Sequence, residues 1–276
     1  MDNNEWSPKR RLELNVQRAL VDKTLTLQDA IEGLTDPVDI TNVVRGWLSN
    51  MSFLQFADDL AGKLVTGVFN SDNKTWRQAA RESSNGRVIY EALRKEMQGP
   101  VGMEVHAQFK RNSEIIKSIP MDIADQMTKY IGEESMKGRR ASAIAEDLIA
   151  KFPDVTRKKA ALIARTETSK TSTALTRARA ESIGIPAYIW RSSEDGRVRD
   201  SHRHMDGVIV FWRDPPSPEE LIGIKSTLGK YHAGNAPNCR CYPSPVINLD
   251  YVNFPCKVYR NNTITTMTRH KFESIM

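Results

Sequence analysis

At Gly184-Ile185-Pro186 the hydrophobic pattern of this chain changes period. Upstream, apolar residues recur at i, i+3 and i+4; downstream, they come as short β-rich runs between turn residues. The pattern predicts an α+β fold: a mostly helical N-terminal part, then a small irregular β-containing C-terminal module packed on a long helix. The triplet itself reads as a helix exit, with glycine at the left-handed position and proline just beyond.

The helical part divides at its breaks. Leu12, Val16, Ala19 and Leu20 keep a helical period, and Thr35-Asp36-Pro37 offers a cap followed by a proline suited to a helix start. From Phe53 to Phe69 the apolar positions describe an amphipathic helix, which the polar run Asn70-Ser71-Asp72-Asn73 is expected to end. Weaker helical signals around Gly86 lead to Gly99-Pro100-Val101-Gly102, the clearest break and the expected first boundary. Helices are then expected over 105–119 and from Pro120, and Ile144 to Phe152 forms a short one of its own. Trp6, Trp47 and Trp76 are expected in the helical core. The segments are thus 1–100, a helical N-terminal region; 101–152, a helical scaffold; 153–245, the motif module; and 246–276, a β-hairpin tail around Asn261-Asn262.

With 276 residues, 39% hydrophobic and 27% charged, the composition is that of a soluble globular protein with one large or two moderate domains. No apolar run approaches the roughly 18 to 20 residues of a spanning helix. Met1-Asp2-Asn3-Asn4-Glu5 lacks the order of a signal peptide, so a cytoplasmic setting without membrane is expected. The net charge of +6, with a pI near 9.2, favours a polyanion without demanding one. A solvated helix face and ion pairs account first for the arginines at 157, 165, 177, 179, 191, 197, 199 and 203. Three cysteines, at 239, 241 and 256, are too few for a disulfide framework and leave reduced thiols or a metal.

Pro153-Asp154-Val155-Thr156 reads as the entrance of the helix that leaves at Gly184. With Glu167 as origin, Ala160, Ile163, Ala164, Thr171, Ala174, Leu175, Ala178 and Ser182 fall within about 80° of it at 100° per residue. Glu167 therefore sits on the face to be buried and needs a cationic or backbone partner. Arg165 lies nearly opposite, so Arg197, Arg199 or Arg240 from the later loop is the better candidate. A buried ion pair that fixes the module against the helix is the expected role.

Beyond Pro186, Ala187-Tyr188-Ile189-Trp190 and Val208 to Trp212 read as strands, and Asp195-Gly196 and Asp206-Gly207 as tight turns. His202, His204, His232, Cys239 and Cys241 are candidate zinc ligands, of which a closed tetrahedron needs four. A Cys-x-Cys spacing can donate two sulfurs from extended backbone, and His202 and His204, two apart, would share one face of a strand. A reduced Cys-Arg-Cys in a packed loop, with histidines bonded to nearby carbonyls, explains the same residues without metal. A cysteine nucleophile with a histidine base has no local signature here.

The ordered set Ile163-Ala164-Arg165-Thr166-Glu167, Trp190, Asp195, Arg197-Val198-Arg199, Ser201-His202, Asp206-Gly207 and Pro237-Asn238-Cys239-Arg240-Cys241 resembles the phage Mu F-like head morphogenesis family. The likeness covers about residues 112–245. It implies a minor head protein of a tailed bacteriophage, a structural and non-enzymatic virion component inside the capsid near the portal, present in host cytoplasm during assembly. The implied partners are the portal protein, the major capsid protein and packaged DNA, with residues 1–100 as an arm toward portal or capsid. Glu167, Asp195, Arg197, Arg199, His202, Asp206, Gly207, Cys239, Arg240 and Cys241 fall on its motif positions; His204 and His232 do not. Similar domains occur on bacterial toxins, which keeps open a metal-dependent nuclease or an ADP-ribosyltransferase built around Arg165 and Glu167.

Overall fold

Local capping chemistry starts the helices where the sequence suggests. Asp36 caps the second helix by accepting from Val38 N at 2.7 Å, with Pro37 in the first turn, where its missing N–H costs nothing. In the computed structural model, which describes residues 5–83, 86–193 and 196–276, the helices are α1 (Arg10–Ile31), α2 (Pro37–Gly46), α3 (Met51–Glu82), α4 (Gly86–Lys95), α5 (Pro100–Lys117), α6 (Ile119–Met136) and α7 (Ala141–Ser182). Then follow β1 (Ala187–Arg191), α8 (Asp200–Met205), β2 (Ile209–Phe211), β3 (Tyr242–Pro245), β4 (Cys256–Arg260), β5 (Thr263–Met267) and α9 (Arg269–Glu273). The fold is α+β, as the change of period predicts.

Two helices run past their expected ends. The polar run at 70–73 does not stop α3, because Asn73 and Asp72 have buried partners: Asn73 donates to Glu96 Oε1 at 2.8 Å, and Asp72 faces Arg179. Nor does Pro153 open a new helix; it lies inside the 42-residue α7. A proline there forfeits one backbone hydrogen bond, but the fully buried Phe152 beside it anchors that turn.

The chain forms two compact units that interleave along the sequence. The break at Gly99-Pro100 falls within one of them rather than between them. One unit comprises Arg10–Val65 and Gln108–Arg165. In it Asp58 accepts from Lys117 Nζ at 2.6 Å and from the Ser113 hydroxyl, and Arg45 on α2 donates to Thr128 on α6 at 3.0 Å. Arg165 reaches Glu13 at 3.2 Å. Trp47 is half-buried here, against Phe53 at 5.2 Å between ring centroids.

The other unit comprises Met1–Lys9, Thr66–Ala107 and Thr166–Met276. Its sheet has the strand order β3-β1-β2-β4-β5. β1 is antiparallel to both β2 and β3, β2 runs parallel to β4 through Ile209 and Val258, and β4 and β5 form an antiparallel hairpin. Asn261 and Asn262 both adopt positive φ, 50° and 60°, as a two-residue hairpin turn requires and as asparagine tolerates. The expected tail is therefore a hairpin, but it completes the module's sheet rather than trailing from it.

Side chains alternate across this sheet. Tyr188, Trp190, Val210 and Tyr259 pack on one face with Trp6, Trp76 and Ala180; Ala187, Ile209, Phe211 and Val258 pack on the other with Phe272 of α9. Trp6 and Trp76 meet edge to face at 5.0 Å, in the core as expected.

Helix α7 carries more than one buried stripe within this unit. Glu167, Thr171 and Leu175 are buried as predicted, but so are Thr166, Thr168, Ser169, Thr173 and Thr176 on other faces, whereas Ser182 is exposed. Arg179, only 2% exposed, donates to Glu96 at 2.8 and 3.3 Å and to the Phe69 carbonyl at 3.3 Å. Its third acidic neighbour oxygen, Asp72 Oδ2, is 3.9 Å away. One guanidinium thus serves two enclosed carboxylates, and Glu96 has the better geometry. Burial pushes the Asp72 carboxyl up to about 7 against the opposing pull of Arg179. Because this lies above its unfolded value, the folded chain holds a proton there that the unfolded chain has lost, so stability falls as pH rises from about 4 to about 7 and levels off above. Denaturant midpoints measured across this range should decline in the native chain, and the decline should flatten in Asp72→Asn; equal slopes in the two proteins would contradict the assignment.

Candidate metal centre

Helix α8 presents its two histidines to different surroundings. In a helix, residues two apart point about 200° apart, so His202 is buried at 2% exposure while His204 is exposed. The expectation that both lie on one strand face is wrong, because Asp200–Met205 is helical.

The Cys-x-Cys segment approaches from β3. Asn238, at φ 57°, turns the chain, and its N–H donates to Thr166 Oγ1 on α7 at 3.1 Å. Two residues apart just before β3, Cys239 and Cys241 bring both sulfurs to the same histidine. Each Sγ lies 3.4 Å from His202 Nδ1, and the Cys241 N–H points at Cys239 Sγ at 3.3 Å. The three donor atoms all lie within 4.8 Å of one another. Both cysteines are buried, at 4% and 2% exposure.

A polar chain holds the imidazole from behind. His202 Nε2 is 2.9 Å from Tyr231 Oη, and the Tyr231 hydroxyl donates to Glu219 Oε1 at 2.6 Å. With its proton committed to the carboxylate, the Tyr231 oxygen accepts from Nε2–H. That fixes the tautomer and leaves the Nδ1 lone pair facing the two sulfurs. Trp190 packs edge-on against the ring at 5.6 Å between centroids. Burial and the bond to Glu219 push the Tyr231 hydroxyl well above its ordinary value. For Glu219, burial pushes upward, but the Tyr231 bond and a backbone N–H outweigh it and the carboxyl stays low. The thiols separate: the bond from Cys241 favours a thiolate at Cys239 against the pull of burial, and that bond, burial and the adjacent charge hold the proton on Cys241.

Of the five candidate ligands, three converge. His232 is buried elsewhere, with Nδ1 3.1 Å from Tyr188 Oη and Nε2 3.5 Å from Arg177 Nη1, edge-on to Trp212. Burial first, then Arg177, lowers it to about 4, so it is a neutral core histidine at physiological pH.

The remaining motif residues frame these three. Asp206 accepts from Ser192 N at 2.7 Å, and Gly207, at φ 76°, donates to the Trp190 carbonyl at 2.9 Å; together they turn α8 into β2. Arg199 donates to the Pro237 carbonyl at 2.9 Å and so holds the cysteine loop rather than Glu167. Arg197 is exposed and Arg240 half-buried. Glu167 is 4% exposed and lies 3.9 Å from Lys170, one turn on. Asp195 lies outside the described residues. Sequence reasoning missed Tyr231 and Glu219, which stand 29 and 17 residues from His202 in a loop whose only signals are turn residues. It also missed Thr166, although that residue stands inside a quoted motif.

Trp190, His202 and the Pro237–Cys241 segment thus form one buried constellation, in the order the sequence motifs give. Residues 123–243 match the family described as Phage Mu protein F like protein. Over this stretch the resemblance to the Phage Mu F-like family read from the sequence is borne out. The Phage Mu F-like stretch is less than half of the chain, yet it contains every member of the constellation. A protein of Haemophilus influenzae described as an uncharacterized protein is 34% identical over 148 residues, covering 52% of this chain and 30% of that protein. The chain therefore spans less than a third of that relative's length. No solved structure matches the chain.

Close approach to α7 is built into the loop before the cysteines. At Gly234, φ 89°, a Cβ would lie 2.5 Å from Thr173 Oγ1 and 3.0 Å from the Cys241 carbonyl, while Thr173 donates to the Ala233 carbonyl at 2.7 Å. Gly234→Ala should destabilise the chain by on the order of 1–3 kcal/mol, visible as a lower thermal midpoint. An unchanged midpoint would mean that the loop yields freely.

Proposed function

We propose that this chain is a structural head-morphogenesis protein of a tailed bacteriophage, a minor component inside the capsid near the portal that aids head assembly. The observation that carries this reading is the match of residues 123–243 to the Phage Mu F-like family. Head components of the same phage, the portal and major capsid proteins among them, are its partners in this reading. It acts in host cytoplasm during assembly and stays within the virion afterwards. No described helix is long and apolar enough to cross a membrane, in keeping with such a setting.

The site's geometry supports a structural role over an enzymatic one. His202, Cys239 and Cys241 are enclosed by Trp190, Tyr231 and the loop turns, and a substrate would have to displace packed core to reach a sulfur. Arg165, half of the pair on which an ADP-ribosyltransferase would be built, is paired with Glu13.

Mass spectrometry of purified particles from the encoding phage should find this chain at a copy number far below that of the major capsid protein; its absence from particles would overturn the reading. Packaged DNA is a further candidate partner, given the +6 charge. If it is a partner, affinity for duplex DNA should fall steeply between about 50 and 200 mM salt, and binding indifferent to salt would remove DNA from the list.

A further inference from the structure

Two thiols and an imidazole, all buried and with their donor atoms within 4.8 Å of one another, are an unusual arrangement for a protein that merely packs its polar groups. The Nδ1 lone pair of His202 can accept from one thiol only, yet two sulfurs stand at the same 3.4 Å from it. The backbone N–H of Cys241 contributes a further partial positive charge at Cys239 Sγ. Behind the ring, the bond to Tyr231 and thence to Glu219 is the outer arrangement that orients a metal-bound imidazole: one nitrogen faces the ion and the other is tied to an oxygen in contact with a carboxylate.

We infer that His202 Nδ1, Cys239 Sγ and Cys241 Sγ form a binding site for a thiophilic divalent cation, zinc before all others. Two thiolates and an imidazole select zinc over calcium or magnesium, which take oxygen ligands. Ligation requires both sulfurs as thiolates, so binding releases any proton they still hold. Three protein donors leave a fourth position, which a water can fill. Ligation would join α8 to the loop segment leading into β3, and so tie together the two segments that flank β2. His204 and His232 take no part: the first is exposed and the second is bonded to Tyr188.

The test uses the full chain purified without chelator. Elemental analysis should give about one zinc per chain, and cobalt(II) added to the metal-free protein should produce a thiolate-to-cobalt charge-transfer band. The Cys239→Ser, Cys241→Ser double variant should lose both signals. Tyr231→Phe, which keeps the thiols and the packing, should bind zinc roughly 10- to 100-fold more weakly, and His204→Ala should bind as the native chain does. If the double variant does not fold, the native protein still decides: zinc should slow alkylation of Cys239 and Cys241, located by mass spectrometry, and a chelator should restore the rate. A folded native chain that stays metal-free after incubation with zinc, equal alkylation rates with and without zinc, or full zinc content in a folded double variant would each overturn the assignment.

Discussion

Between Thr166 and Thr176, α7 is covered on most sides by other parts of its unit, and the side chains it presents there are short. Threonine and serine let backbone approach closely while still offering a hydroxyl. The loops exploit both properties: Thr166 accepts from Asn238 N, and Thr173 donates to Ala233. Because the loops pack this close, their own polar groups leave water, and each needs a partner inside. The cysteine segment is thereby held to the helix by hydrogen bonds made at its turn residues.

The same condition shapes the two polar clusters of that unit. Arg179, Glu96 and Asp72 are one enclosed group, where the guanidinium bonds Glu96 and the buried Asp72 carboxyl keeps its proton to about pH 7. His202, Tyr231 and Glu219 are another, where a chain of donors ends on a carboxylate and leaves one lone pair turned inward. Neither cluster is near-neutral packing. Removing one partner would leave a buried polar group without its complement, a far larger loss than breaking a surface pair.

Much of this was legible in the sequence where the signal is local. The Asp36 cap, the Asn261-Asn262 turn, the switch from helix to strand at Gly184-Ile185-Pro186 and the burial of Glu167 all follow from periodicity or turn chemistry. What failed was anything decided by a distant neighbour. A polar run at 70–73 looks like a helix end until Arg179 and Glu96 arrive from elsewhere in the chain, and Pro153 looks like a beginning until the packing of Phe152 is known. His202 and His204 look equivalent two residues apart in a strand, and they part company once the segment is a helix. Tyr231 and Glu219 carry no signature at all, since their roles exist only through a histidine far away in sequence.

The parallel pairing of β2 with β4 has a consequence for where the module may be cut. The family match stops at residue 243, before either strand of the C-terminal hairpin. Yet Ile209, Val210 and Phe211 of β2 are all buried, and one side of that strand is covered only by β4. A chain ended at the limit of the match would leave an apolar strand with an unpaired edge, the kind of surface that recruits another copy through its own backbone. The boundary of resemblance and the boundary of safe folding therefore differ, and the second lies beyond the hairpin.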